Sequence, residues 1–223
     1  MVLAGGGDEL AAIVFDVYRR ARALSSQRGG REWSSPYDVD RNGIVLGEGA
    51  AILTIESMAR ARTRGATILA EIEGYTTFAV PAPPYDWPAE ARTAVAPLRR
   101  LLDAAGVDLV CGAANSSRRL DACETDLFGR LVDEHIGGVC VTSIKGAVGE
   151  FGAAGALSAA ATCLALHEQT VPPLCHLREP EPNALLRFAA SRSAAQPINR
   201  ALLCGMARGG AGAALLLRKR QTD

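Results

Sequence analysis

An α/β layered fold is what this 223-residue chain predicts, and three observations carry that expectation. Short apolar runs rich in Val, Leu and Ile alternate with helical patterns through the second half of the chain, the order expected of strands backed by helices. The alternation closes in two neighbouring apolar runs, residues 200–206 and 209–217, separated only by Ala207-Arg208, so two strands pair at the end. Residues 152–168 form one long helical stretch of small residues, suited to close packing. The composition agrees: 48% hydrophobic and 22% charged is that of a packed domain, and with only 5% aromatic residues the packing rests on Ala, Leu, Val and Gly.

The elements follow in order. Residues 2–4 read as a short buried strand. Residues 8–23 carry Leu10, Ile13, Val14, Val17 and Ala21 at helical spacing. Residues 25–35, rich in Gly, Ser and Arg, read as loop. Residues 44–46 and 50–55 read as strand, interrupted by Gly47 and Gly49, with Glu48 a structural turn residue. A basic helix over 57–63 ends at Gly65. Residues 68–77 are a strand, and the prolines of 79–88 make an extended connector. A helix over 89–105 contains Pro97, which kinks it or marks its start. Then come a strand (107–112), a helix (121–134), a strand (138–142), the long helix (152–168), a turn at Pro172-Pro173, and strands at 184–189, 200–206 and 209–217.

Several function classes are excluded by chemistry. The formal net charge is zero and the pI near 6.8, so no electrostatic footprint for nucleic acid exists; the closing Arg218-Lys-Arg220 run reads as a solvated tail. The six cysteines contain no Cys-x-x-Cys pair, and most lie inside apolar patterns where a reduced thiol acts as a small hydrophobe. Met1-Val-Leu-Ala leads into glycines without a basic segment, and no apolar run reaches the ~18 residues of a membrane span. A cytoplasmic, reducing compartment and no membrane partner are expected.

The stretch Thr142-Ser-Ile-Lys145-Gly-Ala-Val-Gly-Glu150-Phe-Gly-Ala-Ala-Gly155 resembles the Ser-x-Lys…Gly-His…Gly-Ala-Ala-Gly turn of the β-ketoacyl synthases, the decarboxylating condensing enzymes of fatty acid and polyketide synthesis. Further segments resemble that family in order: Met1-Val-Leu-Ala-Gly-Gly-Gly-Asp-Glu9, Ala21-Arg-Ala-Leu-Ser25, Pro36-Tyr-Asp-Val-Asp-Arg-Asn-Gly-Ile-Val-Leu-Gly-Glu-Gly-Ala50, Ala51-Ile-Leu-Thr-Ile-Glu56 and Ala59-Arg-Ala-Arg-Thr-Arg-Gly65. The resemblance implies a thiolase-like α-β-α-β-α fold of two similar halves. On that reading residues 1–66 are a remnant of a truncated first half, which follows the family's nucleophile cysteine, and 67–223 are a complete second half.

The resemblance also assigns the site. Family members use one cysteine and two histidines, whose N–H donors stabilise the enolate formed on decarboxylation. Val110-Cys-Gly-Ala-Ala-Asn-Ser-Ser117 resembles the strand ending in Asn-Ala-His-Gly-Thr-Ser-Thr, which puts Ala113 at the first histidine and leaves Asn115 beside it; Glu150 takes the second. A carboxylate there repels a developing enolate, so no catalytic residue is assigned. Asp121-Ala-Cys-Glu124 matches the family's Asp-x-x-Glu, with helix capping as the plain physical role of Asp121. The resemblance implies a buried Glu124–Lys145 bridge, with Lys145 structural rather than a base. Gly209 and Gly210 sit in Cys204-Gly-Met-Ala-Arg-Gly-Gly-Ala-Gly212, which resembles the family's gating loop with Arg208 and small residues in place of its phenylalanines.

Other candidates are bland. His135, His167 and His176 fall at helix ends or beyond; Cys123 with His135 faces two sides of one helix; Cys175-His176 has no third zinc ligand. Asp38, Asp40 and Asn42 lack the closing glutamate of a calcium loop. No metal and no cofactor are expected. The whole reads as a non-catalytic chain-length-factor-like subunit of a type II polyketide synthase. It would pair with a full-length catalytic ketosynthase, as heterodimer or heterotetramer, and meet an acyl carrier protein through that complex. The alternatives are half of a split synthase and a structural remnant.

Overall fold

The computed structural model describes residues 1–27, 29–132 and 138–220. Its elements in chain order are β1 (Val2–Asp8), α1 (Ala12–Arg20), β2 (Gly49–Ile55), α2 (Met58–Thr63), β3 (Glu71–Ala79), α3 (Arg92–Leu102) running into a 3-10 turn (Asp103–Ala105), β4 (Leu109–Cys111), α4 (Arg118–Leu131), β5 (Val139–Thr142), α5 (Lys145–Val148), α6 (Ala154–Glu168), β6 (Thr170–Val171), β7 (Leu186–Phe188), β8 (Ala194–Ala195), β9 (Arg200–Met206) and β10 (Ala211–Arg218).

A six-stranded sheet in the order β3-β10-β9-β4-β5-β7 forms the main layer. Its β3-β10-β9 side is antiparallel and its β9-β4-β5-β7 side parallel. The parallel strands β4 and β5 are buried throughout (Leu109, Val110, Cys111; Val139, Cys140, Val141), as strands covered on both faces must be. α3 and α4 pack on one side of this sheet. α6 packs on β9 and also on a separate antiparallel ribbon of β1 and β2, so it is the middle layer between two sheets. The sequence of α6, Ala-Gly-Ala-Leu-Ser-Ala-Ala-Ala-Thr-Cys-Leu-Ala-Leu-His-Glu, is apolar or small nearly all round, which is what a helix sandwiched on both sides needs. The order ribbon, α6, six-stranded sheet, α3 with α4 is the layered α/β arrangement expected.

Most expected elements are present with shifted ends, and β9 has its expected bounds. Pro97 lies inside α3 rather than at its start. Ser57 caps α2, its hydroxyl accepting from the Arg60 N–H. The end of the helix expected over 121–134 lies partly outside the described residues, as does His135. Three differences have physical causes. The strand expected at 2–4 extends to Asp8 and is not buried, with Leu3 65% exposed, because none of the described residues covers its outer side. The helix expected over 8–23 shrinks to Ala12–Arg20 and buries no residue. Residues 44–46 form no continuous strand; Ile44 and Leu46 make single bridges to Leu24 and Glu150. The short β6–β8 pair has too few residues to leave a pattern in the sequence.

Candidate functional site

Two connections at the same end of the main sheet build the site: residues 112–117 after β4, and the β5-to-α6 turn carrying Lys145 and Glu150. Backbone and side chains fix each from outside. In the first, Glu124 Oε1 accepts from the Ala113 N–H at 2.8 Å, and Asp121 accepts from the N–H groups of Asn115 (3.0 Å), Ser116 (3.2 Å) and Tyr37 (2.9 Å). Asp121 therefore organises the loop rather than satisfying its own helix. The Tyr37 hydroxyl donates to Glu124 Oε2 at 2.8 Å. Gly112 makes this approach possible: a Cβ there would lie 2.2 Å from the tyrosine oxygen.

In the second, the backbone of Glu150 is clamped by the 45–47 segment. Its N–H donates to Val45 C=O (2.9 Å) and its C=O accepts from Gly47 N–H (3.1 Å). The Ser143 hydroxyl donates to Ala114 C=O at 2.6 Å and ties the two connections together. Asp8 accepts from the Gly152 N–H at 2.8 Å, so the first ribbon strand helps hold the approach to α6.

Between them lies one carboxylate with two donors. Lys145 Nζ stands 2.8 Å from Glu150 Oε2, and the Asn115 amide nitrogen donates to the same oxygen at 2.7 Å. Asn115 is buried, and the side chains of Lys145 and Glu150 are 9% and 13% exposed. The bridge expected between Glu124 and Lys145 is thus replaced. Lys145 takes Glu150, the nearer charge in its own turn, while the tyrosine hydroxyl and an amide satisfy Glu124. Ala113, also buried, presents only a methyl group.

Burial dominates the titration of the neighbouring acids. It pushes Glu124 up to about 7 and Asp121 up to about 6, against the amide donors that hold both carboxylates. Burial likewise raises the Tyr37 hydroxyl, and it pushes the Cys111 and Cys123 thiols up to about 11 and about 12, which suits inert packing rather than nucleophiles.

The remaining candidates have structural partners. Asp38 accepts from the N–H groups of Asp40, Arg178 and Glu179, and the Asn42 carbonyl accepts from the Ser25 hydroxyl. Glu48 accepts from the Leu10 N–H. His176 stacks on Trp33 and its Nδ1 lies 2.8 Å from Ser34 C=O. Among the described residues no cluster of three metal-ligating side chains forms. Among the described residues no helix is long and apolar enough to cross a membrane.

Gly209 and Gly210 make the β9–β10 turn at φ 81° and 86°. The Arg208 guanidinium lies 5.0 Å from the Trp87 ring and 5.8 Å from that of Tyr18, and donates to Tyr85 C=O. Sequence reasoning named Arg208 only as a replacement. Its aromatic partners lie far away in the chain, and no local pattern signals them. Tyr37, central to the buried network, was legible only as part of the Pro36-Tyr-Asp segment.

With this geometry in view, the comparisons with known proteins are decisive. The β-ketoacyl synthase N-terminal domain model matches residues 1–61, and the β-ketoacyl synthase C-terminal domain model matches residues 70–178. The chain belongs to the β-ketoacyl synthase family. It is 33% identical over 98% of its length to the 3-oxoacyl-[acyl-carrier-protein] synthase 2 of Rhizobium meliloti (strain 1021), covering 54% of that protein. A solved type II polyketide synthase acyl-carrier protein in complex with its ketosynthase bound to the hexaketide superposes at a TM-score of 0.90, with 26% identity over 98% of this chain and 56% of that one. The ishigamide ketosynthase/chain length factor superposes at 0.85, with 27% identity over 98% of this chain and 54% of that one. The fold is therefore thiolase-like, and the chain spans about half the length of the curated relatives it matches.

Proposed function

We propose that the chain is a non-catalytic, chain-length-factor-like ketosynthase subunit that works beside an active β-ketoacyl synthase. The observation carrying this reading is the Glu150 carboxylate, held by Lys145 and Asn115 where the resemblance calls for a histidine. Decarboxylative condensation needs N–H donors aimed at the oxygen on which negative charge develops. Glu150 carries a negative charge of its own, its Lys145 partner is already neutralised, and Ala113 has no donor. The group that would stabilise an enolate is absent from both positions.

On this reading residues 1–66 belong to the first thiolase-like half and 67–223 form the second. The partner is a full-length catalytic ketosynthase, and an acyl carrier protein reaches the chain through that complex in the cytoplasm. The subunit's contribution is steric: its body bounds the space in which the partner's acyl chain grows. The similarity to a ketosynthase/chain length factor structure supports this role. Co-expression with an active ketosynthase tests it. The expected result is a co-purifying complex whose product length shifts when the chain is present; a partner equally soluble, active and unchanged in product length without it overturns the reading.

A further inference from the structure

Trp33, in the loop before Pro36, gathers three nitrogen-rich side chains around its ring. The Arg178 guanidinium lies 4.2 Å and that of Arg31 5.5 Å from the ring centre. The His176 ring stacks on the indole with centroids 5.7 Å apart. Among the described residues neither guanidinium makes an ion pair or donates a hydrogen bond, so the packing holds both cations while leaving their N–H groups uncommitted. The Ser34 carbonyl can only accept, so His176 donates from Nδ1 and keeps Nε2 free.

Arg31, Trp33 and His176 line an open cleft of about 410 Å³. Its size is that of a small-ligand site. Val45, Leu46 and Val148 supply apolar lining from the two backbone segments that meet at Glu150. Neither Lys145 nor Glu150 lines the cleft, so it is separate from their ion pair.

The lining restricts the ligand. It joins hydrocarbon surface to one uncommitted guanidinium, whose planar fork matches a carboxylate. Glu32 lies in the same lining beside Arg31, and its charge opposes a doubly charged phosphate more than a singly charged carboxylate. The volume greatly exceeds that of a carboxylate alone, so an apolar body accompanies it.

We infer that this cleft binds a small amphiphilic monocarboxylate, its head on Arg31 and its hydrocarbon body against Val45, Leu46 and Val148. His176 Nε2 becomes a second donor when the ring is protonated, which a bound carboxylate favours. The ligand touches Val45, whose C=O accepts from the Glu150 N–H, and so braces the clamp that holds Glu150. The inference stands on the cleft and its lining, so it and the inactive-site reading can fail separately.

The test titrates the full chain with octanoate by calorimetry, with octan-1-ol, acetate and octyl phosphate as comparisons. Hydrogen exchange at the Gly47 and Glu150 amides locates the site. Octanoate should bind and slow exchange at both amides, with octan-1-ol and acetate each at least ~10-fold weaker. Arg31→Gln, at an exposed position, should weaken octanoate binding by about 10-fold and leave octan-1-ol unaffected. Octan-1-ol binding as tightly as octanoate would mean a merely greasy surface and overturn the inference. Octyl phosphate binding more tightly than octanoate, unchanged octanoate affinity in Arg31→Gln, or unslowed exchange at both amides would each overturn it as well.

Discussion

Lys145 and Glu150 meet at 2.8 Å across a single turn, and the Asn115 amide closes on the same carboxylate oxygen from the neighbouring connection. The pair is shielded from water, so the charges depend on each other. Separating them leaves a carboxylate or an ammonium with too little solvent to replace its partner.

Lys145→Met should therefore destabilise the chain by roughly 3 kcal/mol in urea denaturation. The double variant Lys145→Met/Glu150→Leu should recover most of that loss, because it removes both charges together. A double variant no more stable than Lys145→Met would show that the cost lies in packing rather than in the ion pair.

Glu124 sets a pH dependence of definite sign. Its folded value of about 7 lies above the ordinary 4.5, so the folded chain holds this proton more tightly than the unfolded chain. Its contribution to stability is full below about 4.5 and falls away as pH rises to about 7. Asp121, raised to about 6 from 3.8, acts in the same direction over a lower window. Glu124→Gln should flatten the fall in melting temperature between those limits. A variant with the same slope as the parent would remove Glu124 as its source.

Gly210 should tolerate no side chain. It sits at φ 86°, a Cβ would lie 1.8 Å from Val80 C=O, and its own C=O accepts from the Val80 N–H at 2.8 Å. Gly210→Ala should cost at least about 2 kcal/mol, read by thermal unfolding. Gly65 has nothing within 4 Å of its Cβ position, so Gly65→Ala carries only the penalty of its positive φ and should cost less.

Arg208 pins the β9–β10 turn to Trp87, Tyr18 and the Tyr85 carbonyl. Arg208→Ala should speed amide exchange at Gly209 and Gly210 and lower stability by about 1 kcal/mol. Unchanged exchange at these glycines would mean that the turn is rigid without the arginine.

Local pattern revealed most of the fold. β9 and the short helix before Gly65 follow from runs and stop signals that act within a few positions. The layer position of α6 follows from a surface that is apolar on every side. The site was legible as residues but not as pairs. Glu124 and Glu150 were both available to Lys145, and the choice is made by the clamp that Val45 and Gly47 place on the Glu150 backbone, about a hundred residues away in sequence. β1 is exposed where its composition predicts an interior strand, because burial depends on what lies opposite.

On the proposed reading Glu150 is a locked ion-pair partner, held by Lys145 and Asn115, and takes no part in condensing chemistry. The most direct measurement is the rate of malonyl decarboxylation and acyl condensation by the complex with an active ketosynthase, compared between the parent chain and Glu150→Gln at matched assembly. Equal rates in the two complexes are expected. Loss of turnover by Glu150→Gln, with assembly unchanged, would contradict it.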